Sequence, residues 1–243
     1  MFGHVYPVQT ACNAVVEVAR AWGDLVRWPE PRDAAFYGIQ SIVLASGSPR
    51  RRELLAALSV PFEVDVSDVD EITEEPDPVR VATLLAERKS RAVAARRPGD
   101  LVIGSDTVVA VDGRMLGKPA DAGEARAMLT TLRGRTHQVV TGGALVRAGY
   151  VSDAHAATDV TMRPYSDAEI EAFIATGSPF DKAGGYAIQD PAFAPVARFE
   201  GCECAVIGLP LWTLRGLLTA AGVETSPPAI ERCATCPARA TAR

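Results

Sequence analysis

The stretch Ile42-Val43-Leu44-Ala45-Ser46-Gly47-Ser48-Pro49-Arg50-Arg51-Arg52-Glu53-Leu54-Leu55 constrains the fold more than any other segment of the chain. Its apolar start is too short for a helix and reads as a buried strand. Ser46-Gly47-Ser48 supplies a tight polar turn, and Pro49 suits the first position of a helix. Strand, small-residue turn and helix N-terminus in that order belong to an α/β fold and present backbone N–H groups to an anion. Three arginines follow at once, at the helix end whose partial positive charge favours acids instead. Cations set against the dipole make sense where a phosphate sits among them. Arg50 and Arg51 offer planar forks to phosphate oxygens, and Ser46 and Ser48 offer hydroxyls. The plain alternative is a solvated basic face with Glu53 as local partner.

A chain of 243 residues, 48% of them hydrophobic, can bury the core of one large α/β domain or two small lobes. A net charge of −5 argues against a nucleic-acid partner, which needs a broad basic face. It leaves room for an anionic small molecule where a few cations converge on one cleft. No apolar run reaches membrane-spanning length, and the N-terminus lacks a basic-then-apolar pattern, so the expectation is a cytoplasmic protein with no membrane partner.

Residues 1–40 read as an extension whose Val15, Val16, Val18, Ala19, Trp22, Leu25 and Val26 fall at helical spacing, stopped by Pro29-Glu30-Pro31. The main domain spans 41–222. Strands are expected at 42–45, 60–64, 101–104, 107–111, 136–147, 150–163 and 196–208, and helices at 49–58, 77–96, 121–133, 166–176 and 209–220. Asp121 with Glu124, and Ser166 with Glu169, fit helix-capping patterns. Asp112-Gly113 and Ala148-Gly149 sit at hairpin-turn positions. Residues 223–243 read as a mobile tail. Five cysteines do not resemble a secreted disulfide framework. Cys202, Cys204, Cys233 and Cys236 can in principle make a four-thiolate zinc site, but the first spacing is unusual and the second pair lies in a Pro/Ala/Arg-rich tail. The favoured reading is two strand cysteines and a loose tail.

Four further places carry chemistry. Asp106 falls just past the expected strand 101–104, beside Ser105 and Thr107, where α/β sheets gather ligands; it can hold a magnesium ion, orient a water, or merely cap a turn. Lys118, fixed between Gly117 and Pro119, is a point charge across the expected hairpin from it. Asp181-Lys182-Ala183-Gly184-Gly185-Tyr186-Ala187-Ile188-Gln189 combines an acid, a cation, two glycines permitting close approach, and a polar Gln189 that closes an apolar strand and needs a partner. Within the acidic run Asp65 to Asp77, Glu71 can add a carboxylate to a magnesium site at Asp106.

Taken in order, "LASGSPRRRELL", "DVDE", "GSDTVV", "GKP", "DKAGGYAIQ" and "VIGLPL" resemble the Maf family of nucleoside triphosphate pyrophosphatases from about Ile42 to Leu218. The resemblance implies a Maf/inosine-triphosphatase-like α/β fold with a long bent mixed sheet and a cleft between two lobes. It implies hydrolysis of a nucleoside triphosphate to monophosphate and pyrophosphate with a divalent metal cation, Mg2+ or Mn2+, and a homodimer. Asp106 matches the family's catalytic acid or proton acceptor. Ser46, Arg50, Arg51, Glu71, Lys89, Lys118, Asp181 and Lys182 match its polar cleft residues, with Asp106 and Glu71 toward the metal. Arg50, Thr107 and Gln189 match the positions that separate substrate subgroups and resemble the dTTP/UTP subgroup over the 7-methyl-GTP subgroup. The rival readings are a phosphomonoesterase or small-metabolite kinase, and a non-catalytic nucleotide-binding regulator of septum formation. Departures from the family are the two ends, the extra Arg52, and Asp190-Pro191 in place of a glycine-rich turn.

Overall fold

The computed structural model describes residues 38–240, so the helix expected in the N-terminal extension lies outside the described residues. The order is β1 (Ile42–Leu44), α1 (Pro49–Ala56), β2 (Glu63–Val64), α2 (Pro78–Ala94), β3 (Leu101–Val111), β4 (Arg114–Leu116), α3 (Ala122–Leu132), β5 (Thr136–Arg147), β6 (Tyr150–Met162), α4 (Asp167–Ala175), β7 (Val196–Glu200), α5 (Glu203–Ile207) and α6 (Leu211–Ala220). Three of the helices start as their sequences dictate. Pro49 opens α1 behind the N-cap Ser48, Asp121 caps α3, and Ser166 with Glu169 forms a reciprocal capping box on α4. Both hairpin turns have positive φ at their two central residues, Asp112-Gly113 and Ala148-Gly149, which joins β3 to β4 and β5 to β6 without splaying the strands.

The seven strands form one mixed sheet in the order β2-β1-β3-β5-β6-β7, with β4 added to β3. β1 runs parallel to β2 and β3, while β3, β5, β6 and β7 alternate in direction. A strand has two edges, and β5 fills one edge of β3 from Val102 to Ala110. The other edge is shared: β1 pairs with Leu101, Val102 and Ile103, and β4 pairs with Val109, Ala110 and Val111. Between them the middle of β3 has no strand beside it, and Asp106 lies there.

Asp106 therefore does not follow the end of a strand. The two strands expected at 101–104 and 107–111 are one eleven-residue strand, held continuous by β5, with Asp106 opposite Gly142. It is the neighbour β1 that ends. The strand expected at 196–208 is also shorter: after Glu200 the Thr158 hydroxyl takes over the ladder, accepting from Cys202 N at 3.0 Å and donating to Cys202 O at 3.2 Å. The chain then turns into α5, so Cys202 and Cys204 are at a helix start and not in a strand. The tail after Val223, expected to be mobile, packs back on the turn that follows α1 through Ser226 N to Leu58 O at 3.2 Å and Ala229 N to Ala57 O at 3.1 Å.

Two apolar clusters flank the centre of β3. One gathers Leu44, Leu55, Ile103, Leu145, Leu209 and Trp212; the other gathers Val109, Leu129, Val139, Met162, Phe173 and Tyr186. Helix α2 packs on the other face of the sheet, over Val102, Val108 and Val140, at very close range. A Cβ on Gly104 would stand 2.1 Å from Ala86 O, and one on Gly142 would stand 2.4 Å from Ala82 O, both backbone atoms that cannot swing away. The glycines fix the height of α2 above the sheet. Gly142→Ala should therefore cost about 1–3 kcal/mol or more in urea unfolding as α2 is pushed outward. Gly143→Ala, whose new Cβ would meet nothing nearer than 4.0 Å, should be close to neutral. Equal effects of the two substitutions would contradict this account.

Candidate active site

The low seat of α2 brings Lys89, in its fourth turn, over the middle of β3. Lys89 Nζ lies 2.5 Å from Asp106 Oδ1 and 2.7 Å from Glu71 Oε1. Lys89 and Asp106 are both buried, whereas half of the Glu71 side chain is exposed. Burial raises the pKa of Asp106; the charges of Lys89 and Arg51 oppose that rise without cancelling it. For Glu71, burial also pushes upward, but the hydrogen bond and charge of Lys89, with Lys118 and Arg51, hold its carboxyl below the usual range. One ammonium thus links a buried carboxylate with elevated pKa to an exposed one that stays ionised. Glu71 is positioned by its neighbours: Arg88 Nη1 donates to Asp70 O at 2.6 Å, and Asp70 Oδ1 accepts from Ile72 N at 2.8 Å. The acidic run is therefore bonded in place: Asp65 pairs with Arg96 and Arg97, and Asp77 caps α2.

Above these groups opens a cleft of about 940 Å3, lined by the Ser46–Arg51 turn, Glu71, Lys89, Asp106, Lys118, Asp181–Ala183 and Gln189. Every residue nominated from the sequence for catalysis, substrate, specificity or metal borders it. Their roles within it differ. Arg50 points along the rim, with Nη1 donating to Asp181 Oδ2 at 2.8 Å. Asp181 also receives Lys182, whose Nζ donates to Ser178 O at 2.5 Å. Burial pushes the Asp181 carboxyl up, but Lys182 and Arg50 together bring it below its ordinary value. Lys118 makes no ion pair with any described residue, so its charge is available to a ligand.

Arg51 is a strut. Its Nε donates to Gly208 O at 2.9 Å, Nη1 to Ser46 Oγ at 3.3 Å and Nη2 to Thr107 Oγ1 at 3.4 Å. Burial lowers its pKa, against the pull of Asp106 and Glu71. Thr107 in turn meets Thr141 Oγ1 at 2.9 Å, and Thr141 donates to Ala205 O at 2.6 Å. Ser105 Oγ donates to Gly142 O and to Gly208 O, each at 2.9 Å. This network ties α1, β3, β5 and the loop after α5 into one wall. Sequence reasoning missed Thr141 and the role of Gly208; alternating residues on adjacent antiparallel strands share a face, which is the signal that could have paired Thr141 with Thr107. Gln189, expected at the end of an apolar strand, is instead exposed in a turn that faces the cleft. Asp190 N closes that turn onto Ala187 O at 3.2 Å, and the Asp190 carboxylate orders the next turn by accepting from Ala192 N at 3.0 Å and Phe193 N at 2.8 Å, so Asp190-Pro191 supplies order where glycines would supply freedom.

The Maf-like protein model matches residues 41–221, the whole stretch that builds this cleft. The chain belongs to the Maf family. Among curated relatives of this Maf chain, the dTTP/UTP pyrophosphatase of Thermomicrobium roseum is 51% identical over 212 residues, covering 84% of the chain and 97% of the relative. That of Symbiobacterium thermophilum is 48% identical over 185 residues, covering 76% and 95%, and that of Deinococcus radiodurans is 46% identical over 183 residues, covering 75% and 94%.

The Lys89–Asp106 pair gives a sharp test. Lys89→Met leaves a buried carboxylate without its cation, a loss of about 3–5 kcal/mol at neutral pH. Asp106 already has a raised folded-state pKa, and the variant raises it further. A raised carboxyl pKa penalises folding at high pH, and the penalty fades as pH falls through that folded value. Urea unfolding at pH 8 and pH 5 should show the difference between variant and parent shrinking toward acid. A difference that grew toward acid would contradict the pairing.

Proposed function

We propose that this Maf chain hydrolyses nucleoside triphosphates, dTTP and UTP foremost, to the nucleoside monophosphate and pyrophosphate. The observation that carries the reading is the buried Asp106, gripped by Lys89 at the floor of a cleft whose rim holds Arg50 and Lys118, the latter in no ion pair among the described residues. The names of the relatives supply the substrate. Water attacks the α-phosphorus and pyrophosphate leaves, so the protein contributes mainly position and charge. Lys89 engages Asp106 Oδ1, which leaves Oδ2 to orient the water and accept its proton. The raised pKa of Asp106 makes it a stronger base than an exposed aspartate. Lys118 and Arg50 neutralise phosphate oxygens, and Lys182 keeps Asp181 turned toward Arg50. The Arg51 strut preserves the wall against which the substrate lies.

The residues fit a divalent cation. Asp106 and Glu71 already converge on one positive centre at Lys89 Nζ, two carboxylates and, among the described residues, no third beside them in that contact. Two carboxylates completed by substrate phosphates and water are the usual way Mg2+ is held. When bound there, Mg2+ or Mn2+ supplies charge neutralisation at the phosphates. No helix among the described residues is long and apolar enough to cross a membrane. A cytoplasmic homodimer without nucleic acid is part of the proposal, supported by the family resemblance and the net charge of −5.

Base choice rests on Gln189, whose amide both donates and accepts and so suits the O4 and N3–H edge of uracil or thymine. The edge of cytosine reverses that pattern, and a site built for one edge leaves polar groups unpaired with the other. The test is kcat/KM, by pyrophosphate release, for UTP, dTTP, CTP and 7-methyl-GTP. UTP and dTTP should lead, and Gln189→Ala should narrow their lead over CTP. Asp106→Asn should retain the fold and lose about a hundredfold or more in kcat. Release of orthophosphate alone, or a parent enzyme that favours 7-methyl-GTP, would contradict the proposed reaction or its substrate respectively.

A further inference from the structure

Away from the cleft, the four cysteines left over by the sequence converge. Cys202 is the N-cap of α5 and Cys204 lies in its first turn; Cys233 ends a 3₁₀ turn at Glu231–Cys233, and Cys236 precedes another at Pro237–Arg239. All four are free thiols and all are buried, with exposures of 4%, 1%, 0% and 7% in chain order. Cys204 Sγ and Cys233 Sγ are 3.3 Å apart. The Cys202 thiol hydrogen-bonds those of both Cys204 and Cys236, so the four sulfurs form one connected group. Backbone N–H groups are aimed at them as well, from Cys204 and Ala205 to Cys202 and from Ala238 to Cys236.

Buried cysteines can be ordinary small hydrophobes. Two observations weigh against that here. From Gly222 to Ala240, Cys233 and Cys236 are the only buried residues, so the thiols are the buried part of a segment with no strand or α-helix. Amide donors pointed at sulfur favour the thiolate, the form that binds metal. The flanking bonds hold the two halves of the group together: Trp212 Nε1 donates to Cys233 O at 2.9 Å, and Arg232 pairs with Glu203 at 2.6 Å.

We propose that Cys202, Cys204, Cys233 and Cys236 form a structural zinc site that clamps the C-terminal segment to α5. Four thiolates with no open position suit tetrahedral Zn2+ in a closed, non-catalytic site. As they stand the sulfurs touch one another, and neither these four nor any other three or more His, Cys or acidic side chains among the described residues are spaced to hold an ion without moving. Tetrahedral Zn–S bonds of about 2.3 Å place sulfurs about 3.8 Å apart, so the 3.3 Å contact must open by roughly half an ångström. Binding converts the thiols to thiolates and releases their protons to solvent. The clamp reaches the cleft through α5, because Ala205 O receives Thr141, Gly208 O receives Arg51 and Ser105, and Val206 and Ile207 line the cleft wall.

The test uses the full chain purified under reducing conditions, incubated with ZnCl2 and then freed of loose metal. Elemental analysis should find about one zinc per chain, and replacing zinc with Co2+ should give the absorption bands of a tetrahedral tetrathiolate site. Cys233→Ser with Cys236→Ser should lose the metal, while Cys12→Ser should keep it. Chelation should lower the Tm of the parent and leave that of the double variant unchanged. Absence of stoichiometric zinc from the folded parent, whether its thiols remain free or pair as disulfides by mass, would overturn the proposal.

Discussion

The approach of α2 to the sheet at Gly104 and Gly142 is the constraint on which the site depends. With side chains at either position the helix would have to rise, since the atoms in the way are the backbone oxygens of Ala86 and Ala82. At its actual height the helix drives Lys89 into the core, where an ammonium survives only beside a carboxylate. Asp106 supplies that carboxylate, and it too is buried only because Lys89 meets it. Each charge is tolerable because the other is present. Packing thus sets the electrostatics, and the electrostatics set the basicity of Asp106.

The sheet contributes an opening. β1 stops at Leu44 and β4 joins β3 only at Val109, so a stretch of β3 edge stays bare in an otherwise continuous ladder. The turn Ser46-Gly47-Ser48 leaves β1 at that point and delivers the arginines of α1 beside the gap. The arginines then divide the work. Arg50 stays on the rim with Asp181, Arg51 is spent on Gly208, Ser46 and Thr107, and Arg52 faces solvent.

Features governed by neighbours in the chain were legible in the sequence. The strand–turn–helix at 42–56, the caps at Asp121 and Ser166, and both hairpin turns rest on short-range chemistry, and they stand where expected. The family resemblance brought the cleft residues together, since periodicity alone cannot show that Lys89 lies over Asp106. What escaped depends on distant partners. Asp106 looked like the residue after a strand because the apolar run Leu101-Val102-Ile103 stops short of it, but β5 carries the ladder through. Gln189 looked like a strand end because Tyr186-Ala187-Ile188 is an apolar run, yet it sits in a turn that Asp190 N closes onto Ala187 O. The tail looked loose because it is poor in large apolar residues. Its order comes from backbone bonds to Ala57 and Leu58 and from two thiols meeting two others about thirty residues away in the sequence.

The central claim is that the floor of the cleft, Asp106 with Lys89, meets the α-phosphate and that Gln189 meets the base. A crystal structure with the α,β-imido analogue of dUTP tests both halves at once. The account predicts the α-phosphorus beside Asp106 with one water between them, the outer phosphates toward Lys118 and Arg50, and the uracil edge at Gln189. An analogue bound with its base over Asp106, or with its phosphates outside the cleft, would contradict it.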